Sequence, residues 1–163
     1  MAKADMFLFV EGKQTGVIKG ESNSPEHPEW IEVMGWTWGM TGSTALAGGG
    51  ASSRSALNEL RISKLADAAT VPLMSVMRNN EAVKKAVLTV RKAGANPPVD
   101  YFTITIKGGR VTSHTVGNAS PGSSELTESL AFAFEEITVT YATQSTLGDK
   151  GADLEFNAQV HSD

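Results

Sequence analysis

The sequence predicts an antiparallel β-barrel, two packed sheets with one short α-helix on the flank. Three observations predict it. First, Leu126 to Tyr141, LTESLAFAFEEITVTY, alternates like a half-buried strand but changes parity midway. Leu130, Phe132 and Phe134 take even positions, while Ile137, Val139 and Tyr141 take odd ones. A regular strand would turn half of them to water. A β-bulge at Glu135-Glu136 keeps all six on one side and curves the strand, which suits a barrel. Burying such side chains stabilises by about 1.5–3 kcal/mol each. Second, Tyr101 to Lys107, YFTITIK, alternates without a break. Third, a single helical stripe occurs, Leu73, Val76 and Met77, at i, i+3 and i+4.

In chain order, Met6 to Val10 is a first strand, apolar on both faces. Its second face needs cover, from the chain itself or from a partner. Gly12 to Gly16 is a turn, Val17 to Lys19 a short return strand, and Gly20 to Pro28 a loop. Glu29 to Met40 is a second strand holding all three tryptophans, Trp30, Trp36 and Trp38. Aromatic core packing explains them, with a ligand-stacking platform as the alternative. Thr41 to Ser55 is a Gly/Ala/Ser loop without the Lys-Ser/Thr ending of a phosphate-binding loop.

Ala56 to Leu65 returns to strand character. The helix then runs from about Thr70, which caps it, to Arg78, with Pro72 in the first turn and Asn79-Asn80 at the end. Nine residues are too few to stand alone in water, so the helix docks on the sheet. A strand follows from about Lys84 to Lys92, and Gly94 to Pro98 is a turn. Gly108-Gly109 is a bend, with Arg110 to Val116 continuing the preceding strand. Asn118 to Ser124 is a loop whose Asn-Ala-Ser triplet is followed by Pro121, a poor glycosylation sequon. Gln144 to Asp153 is a polar loop, and Leu154 to Val160 a last strand. Seven to nine strands and one helix are expected, as one domain over residues 1–163.

Composition removes several functions. The chain has 163 residues, 18 acidic and 14 basic, for a net charge of −4, so it has no nucleic-acid footprint. It has no cysteine, hence no disulfide, thiolate chemistry or Cys-type zinc site. Met6 to Val10 is too short for a signal-peptide core, and no stretch approaches the roughly 20 apolar residues of a membrane helix. A cytoplasmic start is expected, with any export left to other machinery. His27, His114 and His161 are expected at the surface, without enough neighbouring ligands for a metal. Glu135-Glu136 face opposite ways in a strand, and Asp149 to Asp153 lacks the spacing of a calcium loop. No metalloprotease, hydrolase-elbow or dinucleotide motif is present. The expected catalytic, cofactor-binding and metal residues are therefore none.

Taken in order, several segments resemble one family. They are Asp5 to Leu8, Lys19 to Ser22 with His27, Trp36 to Gly39 before the Gly-rich loop, Pro72 to Met74, Leu88 to Gly94, and Leu126 to Tyr141. Together they are similar to the haemolysin-coregulated proteins, Hcp, of bacterial type VI secretion systems. The resemblance implies a compact β-barrel with a flanking helix and no catalytic centre or cofactor. It implies a homo-hexameric ring, with rings stacking into an inner tube that a contractile sheath drives outward. It also implies release from the bacterial cytoplasm to the outside, a spike partner, and effector proteins held in the lumen. No fused effector activity is expected, because the chain ends about twenty residues after the matched strand. A ring neighbour would seal the second face of Met6–Val10. The rival readings are a lipocalin-like small-ligand barrel and a barrel hydrolase.

Overall fold

The computed structural model describes residues 5–42, 56–92, 99–144 and 150–160. Residues 43–55, 93–98 and 145–149 and His161 lie outside them, and with them the expected turn and most of the expected Gly/Ala/Ser loop. The described elements are β1 (Met6–Gly12), β2 (Gly16–Ile18), β3 (Ile31–Glu32), β4 (Gly35–Thr37), β5 (Met40–Thr41), β6 (Ala56–Leu57), β7 (Leu60–Leu65), α1 (Thr70–Arg78), β8 (Val83–Arg91), β9 (Asp100–Asn118), β10 (Leu126–Ala133), β11 (Glu136–Gln144) and β12 (Lys150–Gln159). Twelve strands stand where seven to nine were expected. Five of them have only two or three residues. Of the loop expected over Gln144 to Asp153, the described ends are strand instead. Gln144 closes β11, and β12 starts at Lys150, four residues before the expected Leu154, because the two strands pair on as far as Gln144 and Lys150. Mainly β with one short helix is what the alternation predicts, and every pairing is antiparallel.

All the strands but β5 and β6, which pair as a separate two-stranded sheet, form two layers joined through β9. One layer runs β2-β1-β8-β9, with β3 beside β1 and β11 and β12 beyond β9. The other runs β9-β10-β7-β4. The sheet is not closed, so the barrel is an open one. β9 serves both layers because it bends at Gly108, as the sequence predicts. Gly108 has φ +64°, and a Cβ there would sit 2.7 Å from Glu135 Oε2. Only glycine meets both conditions without strain. The first half of β9 pairs with β8 and β11. The second half pairs with β10.

The expected bulge at Glu135-Glu136 is instead a break between β10 and β11. The chain leaves one layer after Ala133 and enters the other at Glu136. The parity change thus marks a change of layer. Its effect is as expected for five of the six residues. Leu130, Phe132, Phe134 and Ile137 are buried, and Val139 packs against the core. Tyr141 is 44% exposed.

Glu29 to Met40 is also not one strand. Ile31 and Val33 enter the core, while Met34 is 56% exposed and the chain breaks into β3, β4 and β5. α1 spans Thr70–Arg78 as predicted, buried through Thr70, Leu73 and Val76. Met77 is part-exposed, so the stripe is 70, 73 and 76. Thr70 does not cap the helix. Its hydroxyl accepts the Asp67 N–H at 2.9 Å and donates to Glu128 Oε1 at 2.7 Å.

The second face of β1 is sealed by its own chain, not by a neighbour. The side chains of Leu8 and Val10 point into the core. On the other face, Phe7 stacks on His27 with centroids 4.7 Å apart, and the Arg91 guanidinium lies 5.1 Å from the Phe7 ring centre. Phe9 packs against Trp30. The loop over 19–30 is therefore a strap across the outside of the sheet. Among the described residues no helix is long and apolar enough to cross a membrane.

Candidate functional site

The two described histidines, His27 and His114, are structural and not surface groups. His27 is buried at 5% exposure and its Nε2 lies 2.8 Å from Asp100 Oδ2, which pins the strap. The His114 side chain is buried, with Nε2 2.7 Å from Glu128 Oε2. The two partners lie 73 and 14 residues away, so neither pairing shows in a local window. Among the described residues no group of His, Asp and Glu could hold a metal ion.

Sequence reasoning missed a polar cluster under α1. Lys64 and Glu128 are both fully buried and paired at 2.6 Å. Lys64 also donates to Asp67 at 2.8 Å. Glu128 takes hydrogen bonds from Lys64 and Thr70 on Oε1 and faces His114 on Oε2. Burial pushes the Glu128 carboxyl up. The bonds from Lys64 and Thr70, the Lys64 charge and the His114 contact outweigh it, and hold the group below the ordinary carboxylate range. A signal was available. Lys64 shares the inward parity of Leu60 and Ile62, and Glu128 that of Leu130 and Phe132. The cluster fixes the helix to the sheet, and nothing in it is positioned to attack a substrate.

The tryptophans are packing groups. Trp36 stacks on Phe102 at 5.4 Å, Trp38 lies 6.3 Å from Phe156, and Trp30 meets His27 edge-on. Trp38 Nε1 donates to the Asn58 carbonyl. Among the described residues, the space between the layers is filled by Leu8, Ile62, Leu73, Leu88, Phe132 and their neighbours, a packed core and not a lipocalin-like cup.

What the fold leaves incomplete is an edge. Residues opposite each other in antiparallel strands share a face. One row on the core side therefore runs Leu8, Leu88, Ile104, Val139, Phe156. The first three are fully buried, Val139 partly so, and Phe156 is 40% exposed. The next row ends in Tyr141 and Leu154, and Leu154 is 60% exposed. The core face of the sheet thus runs out into solvent at β12. Among the described residues β12 pairs only with β11, so its outer edge carries no ladder there. The opposite face of the same strands is polar, with Thr103, Thr105, Thr138, Thr140 and Asn157. A second apolar surface is a groove of about 480 Å³ beside α1, lined by Met74, Met77, Arg78, His114 and Val116. Exposed apolar strand edges and patches of this kind mark interaction surfaces.

Known proteins share this sequence pattern and this fold. The family model described as "Type VI secretion system effector, Hcp" matches residues 7–141. The chain is 36% identical over 148 residues to Protein hcp1 of Pseudomonas aeruginosa, covering 90% of this chain and 88% of that protein. Among solved structures, one described as a type six secretion system protein superposes with a TM-score of 0.81 at 22% identity, over 95% of this chain and 96% of that one. A type VI secretion system effector from Yersinia pestis superposes with a TM-score of 0.74 at 23% identity, over 96% of this chain and all of that one.

Proposed function

The chain belongs to the Hcp family of type VI secretion proteins, and from that premise we propose that it is a structural, secreted tube subunit. Hcp is a family of secreted structural proteins and not of enzymes. In this reading six copies close into a ring, rings stack into the inner tube, and the contracting sheath drives the tube and its spike outward. The lumen holds effector proteins during export. The subunit acts as one domain over residues 1–163, with no catalytic, cofactor or metal site of its own. It is made in the bacterial cytoplasm and leaves through the type VI apparatus without inserting in a membrane or binding nucleic acid.

The observation that carries the reading is the run of the core face onto the open β12 edge. Tyr141, Leu154, Phe156 and Val160 are each two-fifths to three-fifths exposed. Together they leave roughly 300 Å² of apolar surface in water, the size of patch that marks an interaction site. The surface that the ring must seal is therefore β11–β12 and not β1. A head-to-tail contact that closes on itself makes a ring. The polar Thr and Asn face behind it suits a wall against a water-filled lumen. Six copies at −4 each give a formal −24 per ring, so stacked faces bring opposite charges together locally or leave them screened.

Light scattering on the purified chain tests this. A species of six times the 17.2 kDa subunit is expected. A stable monomer at micromolar concentration would remove the ring.

A further inference from the structure

Resting on the ring reading, the two unsealed apolar surfaces of one subunit say which face meets which. They sit at opposite halves of β9. The β12 edge joins, through β11, the stretch Phe102–Lys107. The helix groove lies at His114 and Val116. At about 3.3 Å per residue the two are roughly 35 Å apart along the strand. Two different surfaces cannot seal each other within one molecule at that separation. A two-fold dimer has one self-complementary contact and seals both surfaces only if both fall within it. A head-to-tail contact instead seals both at once, and repeats.

Charge favours that pairing. α1 has one charged residue, Arg78, in its last turn, and no acidic residue in its first. Arg78 makes no ion pair among the described residues, and neither does Glu155. Asp153 and Glu155 flank Leu154 on β12. The groove is thus apolar with a basic rim, and the edge apolar with an acidic one. Glu155 lies on the face opposite Leu154 and Phe156, on a strand that among the described residues has no neighbour beyond it, so its carboxylate stands at the rim of the edge. A stable contact needs about 800 Å² per partner, of which the edge patch supplies an apolar centre of roughly 300 Å². Methionines suit the receiving side, because their unbranched chains reshape around an incoming group.

We propose that the β12 edge of one subunit seats in the α1 groove of the next, with Leu154 and Phe156 among Met74, Met77 and Val116 and Glu155 paired with Arg78. The occupant of the groove is a second copy of this chain.

A charge swap tests it. Arg78→Glu and Glu155→Arg are made singly and together, and assembly is followed by light scattering over a dilution series. Circular dichroism confirms that each variant is folded, as expected for exposed positions. Each single change should raise the protomer concentration for half-assembly tenfold or more, and the double change should return it to within threefold of wild type. The absence of cysteine permits a second readout. Leu154→Cys with Met77→Cys, treated with a short thiol cross-linker, should give a covalent ladder up to six. Single variants that assemble like wild type, or a double variant no better than the worse single one, would overturn the pairing while leaving the ring. A wild-type chain that stays monomeric at every concentration would overturn both.

Discussion

Replacing Lys64 with methionine removes the cation of the buried cluster while keeping most of its volume. Lys64 contributes bonds of 2.6 Å to Glu128 and 2.8 Å to Asp67, and neither Lys64 nor Glu128 touches water. The methionine leaves Glu128 as a buried anion held only by Thr70 and His114. Stranding a charge in this way costs about 3–5 kcal/mol. For a chain of this length each kcal/mol lowers the melting temperature by about 2–4 °C, so a drop of roughly 6–20 °C is expected. The double variant Lys64→Met, Glu128→Leu removes the stranded charge and should be more stable than Lys64→Met alone, a coupling of at least about 2 kcal/mol. Urea unfolding at one fixed protomer concentration gives both numbers, since assembly makes stability depend on concentration. The pH dependence adds a sign. The Glu128 carboxyl is held below its ordinary value of 4.5, so its contribution is full above that pH and lost as pH falls through the depressed folded value. The gap between wild type and Lys64→Met should therefore narrow in acid. A Lys64→Met loss under 1 kcal/mol, or a double variant weaker than the single one, would refute the account of the cluster.

Gly108→Ala should cost more than about 1 kcal/mol in the same assay, since it meets both a positive φ and the Glu135 side chain. Phe132→Ala should cost about 3–5 kcal/mol, because Phe132 is fully buried between the layers. Glu81→Ala should release the turn after β1. Glu81 accepts the Gln14 and Thr15 N–H groups and the Thr15 hydroxyl, and amide exchange at those two residues should accelerate while β9 and β10 stay protected. The bonds from Thr15 and Gln14 outweigh burial and hold the Glu81 carboxyl below its ordinary value, so the same loosening should appear in wild type as pH falls through that depressed folded value.

What could be read from the sequence was local. The helix over Thr70–Arg78 and the bend at Gly108-Gly109 follow from short-range patterns, and both stand in the structure. The parity change at Glu135-Glu136 was visible too, but a bulge and a change of layer leave the same trace in a single strand. Only the partners of β10 and β11 separate them. The cover on Phe7 was hidden because His27 reaches it from a loop with no strand or helix pattern. The polar groups were misread for a related reason. Histidine is ordinarily exposed or partly so, and the acids that bury His27 and His114 lie far off in sequence. For the assembly surface, odd parity placed Tyr141 with the core. That the core stops short of it depends on where the second layer ends, a property of the whole fold.

β9 and the β10–β11 segment each spend half their length in one layer and half in the other. Any line drawn between the layers cuts the backbone within β9 and again between β10 and β11. Such a body has no internal joint along which to slide or open, so a thrust delivered to one wall is carried by covalent bonds into the other. A hollow column made of units of this kind shortens or buckles only by parting its subunits from one another, never by folding within them.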